Sequence, residues 1–282
     1  MTVDTSKFSV LLPVYDGDGV EFFVRAFASV TNEQELRPNE IIVVRDGPVR
    51  LELQNAIDIV TGESVVPVQL IQLPVNAGLA NALNVGLSKA EYEIVARADA
   101  DDISLPSRFR KQIPLVDSGV DLVGSAIIEF ESNEHETGIT RAHPTSHEDI
   151  GRAARFYSPF NHPTVVFKKS AVELVGGYQH LDLMEDYLLF ARMVNAGTST
   201  ANLAEGLVLY RVGSGAYKRR GGMRLLKSEL KLQRTLHEEG FTSKSQFVRN
   251  IVVRGVYRLV PQSIRRIGYR NILLRSGNRP KN

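Results

Sequence analysis

The sequence predicts an α/β protein: a single, mostly parallel open sheet flanked by helices over residues 1–221, then a basic helical extension over 222–282. Three observations predict it. Short apolar runs alternate with helix-periodic segments through the first hundred residues. Polar residues follow each of the strand-like runs. The charge also changes sign along the chain.

Phe8 to Val14 (FSVLLPV) is apolar and β-branched, too short for a helix and typical of a buried parallel strand. Asp18 to Val30 has Val20, Phe23, Val24, Phe27 and Val30 on one helical face. Glu40 to Val44 reads as a strand closed by the turn Asp46-Gly47-Pro48, Leu51 to Val60 as a helix, and Val68 to Leu73 as a strand. Gly78 to Ala90 is an Ala/Leu/Asn-rich helix and Glu93 to Ala98 a fourth strand. Ligands of such sheets sit at the carboxyl ends of the strands. That directs attention to Tyr15 and Asp16, Asp46, Asn76, and Asp99, Asp101 and Asp102. Further on, Pro106 to Val116 looks helical, Asp121 to Phe130 strand-like, and Glu131 to Glu148 a hairpin or loop. Thr164 to Phe167 and Leu207 to Val212 read as strands; Ser170 to Val175, Met184 to Asn195 and Met223 to Glu239 read as helices.

Composition narrows the function. The 282 residues are 43% hydrophobic and 23% charged, as in a soluble globular protein, and contain no cysteine. A disulfide framework, a thiolate nucleophile and a zinc–thiolate site are excluded. No apolar run approaches the roughly 20 residues that span a bilayer, and the first 30 residues lack a signal-peptide pattern, so a cytoplasmic location is expected. No acid follows Glu239, and residues 240–282 carry ten basic residues, a charge of +10; the preceding 239 residues carry 24 basic and 32 acidic groups, a charge of −8.

Asp99-Ala100-Asp101-Asp102 places three carboxylates in four positions directly after a buried strand. Like charges so close repel unless a cation compensates them, which suits Mg2+ or Mn2+. The competing reading is a set of turn and helix-cap acids, which serves Asp102 better than Asp99 or Asp101. Glu185-Asp186 opens a helix, where the dipole favours an ionised carboxylate. The pair is either a plain N-cap or a fixed general base.

Ser9-Val10-Leu11-Leu12-Pro13-Val14-Tyr15, Glu40 to Gly47 (EIIVVRDG), Asn76-Ala77-Gly78 with Ala82-Leu83-Asn84, Asp99 to Asp102 with Pro106 and Arg108, and Glu185-Asp186 together resemble a family 2 glycosyltransferase of the GT-A fold. The motifs stand in family order over residues 8 to about 220. His162-Pro163, Gly176-Gly177-Tyr178, Arg211-Val212-Gly213 and Arg219 to Gly222 are similar to the bacterial exopolysaccharide and lipopolysaccharide branch, amylovoran-biosynthesis transferases included. The resemblance implies an inverting transfer of a sugar from a UDP-sugar to a glycan or lipid-linked glycan. In that scheme Pro13 and Tyr15 line the nucleotide base, Asp46 accepts a hydrogen bond from uracil, Asn76 belongs to the donor site, and Asp99 contacts the ribose. Asp101 holds the metal bridging the diphosphate, Asp186 with Glu185 beside it is the base, and His162 lies on the acceptor side. The usual diacid before glycine is Arg45-Asp46 here, and Val212-Gly213 stands where many relatives place a histidine. Arg211, Arg219 and Arg220 are left as candidates to neutralise phosphate.

Gly213 to Gly222, with four glycines and three basic residues, is either a lid over the diphosphate or a solvated linker. The tail interleaves arginine with apolar residues and suggests two basic amphipathic helices hinged at Pro261. An anionic membrane surface, the acidic body and nucleic acid are its possible partners, nucleic acid being the least supported. Two other functions remain in view. A sugar nucleotidyltransferase needs a Gly-rich loop where Pro13-Val14-Tyr15 stands, and a non-catalytic membrane adaptor leaves Asp101 and Asp186 unexplained. A dehydrogenase fails for want of a Gly-x-Gly-x-x-Gly turn.

Overall fold

The computed structural model describes residues 6–213 and 223–259. They fall into two compact units, one holding residues up to His180 with Glu185–Arg211, the other Leu181–Met184 and the described chain from Val212 onward. The expected division at 221/222, and the lid or linker at 214–222, lie outside the described residues.

The first unit is built on a nine-stranded sheet. Strands β1 (Phe8–Val14), β2 (Glu40–Arg45), β3 (Val68–Gln72) and β4 (Ile94–Arg97) alternate with helices α1 (Val20–Val30), α2 (Leu51–Gly62) and α3 (Leu79–Lys89). They pair in parallel in the order β3-β2-β1-β4, with Leu11 opposite Ile42 on one side and Arg97 on the other. All seven residues of β1 are buried. Phe8, Val10, Leu12 and Val14 pack with Phe23 and Phe27 of α1, Leu53 and Ile57 of α2 and Phe109 of the later helix α4 (Arg108–Asp117). Leu11 faces the other way, with Ala82, Leu83 and Leu87 of α3. Strand alternation thus feeds two cores, one on each face of the sheet. A Cβ on Gly86 would lie 2.3 Å from Leu11 Cδ1 and 2.8 Å from Val44 Cγ2, so only glycine lets α3 approach this closely.

Beyond β4 the sheet becomes mixed. The remaining elements are β5 (Ile103–Ser104), β6 (Leu122–Phe130), β7 (Thr137–Arg141), α5 (His147–Ala154), β8 (Val166–Lys168), α6 (Lys169–Leu174), α7 (Glu185–Asn195) and β9 (Thr200–Arg211). β8 lies antiparallel between β4 and β6, β9 runs parallel to β6, and β5 and β7 are antiparallel to β9 and β6. The 131–148 stretch, expected to hold a hairpin or loop, contains β7, which pairs back on β6, and the start of α5. Two elements differ from the sequence expectation. β9 begins at Thr200, seven residues early, because its first half is Ala-, Asn- and Glu-bearing and joins β6 through a register shift near Ala126. Helix α5 has an apolar stripe of only Ile150, Ala153 and Ala154, and is started by Ser146, whose hydroxyl accepts from Asp149 N–H.

In the second unit, α8 (Met223–Glu238) and α9 (Lys244–Leu259) form a helical hairpin. Its seam contains a polar ladder. Asn250 donates to Gln233 Oε1 (2.9 Å), Gln233 donates to Glu229 Oε1 (3.1 Å), and Arg254 Nε lies 2.8 Å from Glu229 Oε1. Glu229, Gln233 and Asn250 are fully buried. Arg254 thus serves the hairpin, while Lys244, Val248, Arg249, Val252 and Val253 are exposed. The second tail helix lies outside the described residues. No described helix is long and apolar enough to cross a membrane.

Candidate functional site

Strands β1 and β2 end level, Val14 opposite Arg45, and β4 ends at Arg97 opposite Leu11; from these carboxyl ends the chain turns into its polar segments. Ala98 N–H still donates to Leu11 O (3.0 Å) and Arg97 N–H to Val165 O (2.9 Å). The backbone is therefore held in the sheet up to Asp99. Carboxylate oxygens of Asp99, Asp101 and Asp102 then converge within 4.8 Å of one another. Asp102 is buried; its Oδ1 accepts from Arg211 N–H (2.9 Å), while Oδ2 has no hydrogen-bond partner. Burial, then the charges of Asp99 and Asp101, push its carboxyl well above the ordinary range. An orphaned buried oxygen beside two further carboxylates is a hard-oxygen donor set that fits a divalent cation. Asp102 is thus part of the cluster rather than a helix cap; α4 starts six residues later.

A fourth acid belongs here that sequence reasoning missed. Asp18 accepts from Tyr15 N–H (2.9 Å) in the turn after β1. Its carboxyl is pushed up to about 7, chiefly by burial, with Asp101 and Asp99 adding to the effect. Its place in the turn after β1 was the available signal.

On the nucleotide side, Pro13 is buried in β1 opposite Val44, and Tyr15 is 44% exposed at the strand end. Asp46 is buried and accepts from Ala77 N–H (2.8 Å) and Gly78 N–H (2.9 Å), one on each carboxylate oxygen. It ties the end of β2 to the loop that carries exposed Asn76. Gly47, with φ +84°, packs so closely on this loop that a Cβ would lie 2.5 Å from Asn76 N. Arg219 and Arg220 lie outside the described residues. The Arg211 guanidinium is held between the Phe22 and Phe130 rings (3.9 and 4.4 Å to the centroids), and its Nε donates to Asp101 O (3.0 Å). Arg211 therefore fixes the main chain of the acidic turn.

Glu185 and Asp186 form the first turn of α7, which is anchored where Tyr187 Oη donates to Ala154 O (2.9 Å). The Asp186 carboxyl is pushed up to about 7 by burial and then by Glu185, against the backbone amides of Tyr187 and Asp186 itself. Asp99 also acts on it, so the acidic cluster and the α7 terminus share one electrostatic environment. Two further groups belong to this environment. His162 Nε2 is 3.1 Å from Tyr178 Oη, and the Tyr178 main chain is held by Asn84 through two hydrogen bonds (2.9 and 2.7 Å). Burial, then Arg97, holds His162 well below the usual imidazole range; burial pushes the Tyr178 hydroxyl up, and Asp186, Glu185 and Asp99 raise it further. Tyr178 and Arg97 are site residues whose positions, after a Gly-Gly pair and inside an apolar strand, concealed them.

Known proteins resemble this chain over most of its length. The family model "Glycosyl transferase family 2" matches residues 9–173. The UDP-Gal:alpha-D-GlcNAc-diphosphoundecaprenol beta-1,3-galactosyltransferase of Escherichia coli is 35% identical over 277 residues, 98% of this chain and 99% of the relative. The amylovoran biosynthesis glycosyltransferase AmsE of Erwinia amylovora is 37% identical over 267 residues, 93% of this chain and 97% of the relative. Among solved structures, a mannosyltransferase from Pyrobaculum calidifontis in complex with GDP-Man and Mn2+ superposes with a TM-score of 0.63 at 17% identity, covering 99% of this chain and 77% of that one.

Proposed function

The chain belongs to glycosyltransferase family 2 and has its GT-A fold, and from that premise we propose that it transfers a monosaccharide from a UDP-sugar to a glycan or lipid-linked glycan, with inversion, in bacterial surface polysaccharide synthesis. The observation that carries this reading is the convergence of Asp99, Asp101 and Asp102 within 4.8 Å at the end of β4. The activity of the E. coli relative suggests the donor and acceptor classes.

Asp101 and Asp102 would hold Mn2+ or Mg2+, which when bound stabilises the negative charge that grows on the departing diphosphate. Asp99 and Tyr15 would bind ribose and base, with Pro13, Asp46 and Asn76 shaping the pocket; Arg219 and Arg220 would contact phosphate. Asp186 would accept the acceptor hydroxyl's proton as that oxygen attacks the anomeric carbon, with Glu185 keeping its carboxyl basic. His162, through Tyr178, would line the acceptor side. One base opposite one leaving group amounts to a direct displacement, hence inversion.

A donor screen tests the reading. Of UDP-galactose, UDP-GlcNAc and GDP-mannose offered with Mn2+, a UDP-sugar is expected to be bound and turned over on a lipid-diphosphate acceptor. Preference for the GDP-sugar would reject the uracil assignment. Absence of all nucleotide binding would favour the membrane adaptor, and release of pyrophosphate from UTP and a sugar phosphate the nucleotidyltransferase.

We further place the protein on the inner face of the cell membrane through its basic C-terminal helices. What supports this is α9's exposed face, where Val248, Val252 and Val253 stand beside Lys244 and Arg249, and the acid-free sequence that follows. Each basic residue near an anionic surface contributes about 1 kcal/mol. In a sedimentation assay, Lys244→Glu with Arg249→Glu is expected to weaken binding to phosphatidylglycerol vesicles at least about tenfold. Equal sedimentation of variant and wild type would contradict the placement.

A further inference from the structure

The Arg97 guanidinium, only 1% exposed, stands at the end of β4, near the middle of the sheet. An ion placed there gives up much of its hydration, and a hydrophobic residue of similar size would fill the space without that loss. Its contacts show what offsets the cost. One Nη pairs with Asp99 Oδ1 and the other donates to Ala98 O, so the guanidinium folds back along its own strand end onto the acidic turn. Its Nε has no hydrogen-bond partner. Its main-chain oxygen accepts from Nη2 of fully buried Arg108 (2.6 Å), whose other nitrogens reach Ser104 Oγ (2.8 Å) and Gln112 Oε1 (3.1 Å). Gln112 in turn donates to Thr164 O (2.8 Å). Arg97 is therefore fixed from behind, and it fixes Asp99 in front.

The charges around it are informative. Asp18, Asp99, Asp101 and Asp102 sum to −4 when ionised, and Arg97, Arg108 and Arg211 to +3; these side chains alone leave −1, less than one divalent cation carries. Resting on the assignment above, we propose that Arg97 is a positioning residue: its guanidinium pins Asp99 for the donor and is a permanent counter-charge that keeps the cation bound by Asp101 and Asp102 weak until the diphosphate arrives. An arginine does this where a lysine cannot, because its planar guanidinium engages the Asp99 carboxylate with one Nη and the Ala98 carbonyl with the other, fixing the geometry of both, while an ammonium supplies only charge.

The test is calorimetric and needs no turnover. Mn2+ alone, then UDP with saturating Mn2+, are titrated into wild type, Arg97→Met and Arg97→Lys, each checked for folding by its melting transition. Arg97→Met is expected to bind Mn2+ about tenfold more tightly, since one positive charge has left a buried neighbourhood. It should bind UDP more weakly, because Asp99 is no longer held. Arg97→Lys, the variant less prone to misfold, is expected to keep Mn2+ affinity within about threefold yet weaken UDP about tenfold. A merely structural arginine would shift the melting temperature and leave both affinities in place. That result in Arg97→Lys, or unchanged or weaker Mn2+ binding by folded Arg97→Met, overturns the inference. If wild type binds neither Mn2+ nor UDP, the assignment itself fails and this inference falls with it.

Discussion

Asp186→Asn is expected to bind UDP with Mn2+ as tightly as wild type and to lose 10²–10⁴-fold in turnover, about 3–5 kcal/mol of transition-state stabilisation. The amide keeps the shape and can still accept from the Tyr187 N–H at the start of α7, but it cannot take a proton. Because burial and Glu185 hold the Asp186 carboxyl near about 7, wild-type kcat/KM should rise with pH through that value as the base ionises. The variant should lack this limb. The same shift has an opposite consequence for stability. A carboxyl whose folded pKa is raised from 3.8 to about 7 favours the fold below pH 4, and that contribution is lost as pH rises through 7. Asp186→Asn should therefore melt higher than wild type at pH 8, the gain being on the order of 2–4 kcal/mol. A variant that turns over at wild-type rate, or melts lower at pH 8, would show that the α7 terminus is a structural cap.

The second large effect is expected at Asp101. Loss of a residue that only orients a metal ligand costs 10–100-fold in metal affinity, so Asp101→Asn should weaken Mn2+ by at least about a hundredfold. Metal-free, the variant should be the more stable protein, since Asp101 is among the charges that raise the Asp18 and Asp102 carboxyls. Adding Mn2+ should then raise the melting temperature of wild type and leave the variant's unchanged, a ligand stabilising a fold by RT ln(1 + [L]/Kd). Equal Mn2+-induced stabilisation of both proteins would remove Asp101 from the cation site.

These effects concern residues of very unequal legibility. Strands β1, β2 and β4 could be read directly, because a strand covered on both faces is a continuous apolar run and little else in a soluble chain looks like one. The acids after β4 stood out for the same reason: charge beginning abruptly where hydrophobicity stops. The half of the sheet beyond β4 was less plain. The first half of β9, Thr200 to Gly206, carries Asn202 and Glu205, and it is held by pairing with β6 rather than by its own pattern. Helix α5 buries little beyond Ile150 and two alanines, a stripe too narrow to register.

The missed site residues share one property: their significance lies in neighbours far along the chain. Arg97 looks like a stray polar residue until Asp99 and the Arg108 network are seen around it. Tyr178 needs His162, sixteen residues earlier, and Asn84, almost a hundred residues earlier. Asp18 looked like the start of a helix. Asp102, which local chemistry could assign to a cap, is drawn into the cluster by Arg211 from the end of β9.

We propose that oxygens gathered after β4 hold a divalent ion through which the nucleotide diphosphate is bound. Titration calorimetry of UDP into wild type, once with Mn2+ and once with EDTA, addresses it most directly. Binding is expected with the ion and at least a hundredfold weaker without it, and Asp101→Asn should behave in Mn2+ as wild type does in EDTA. UDP binding of equal strength in EDTA, or an Asp101→Asn protein that keeps its ion-linked binding, would show that no ion at Asp101 bridges the diphosphate.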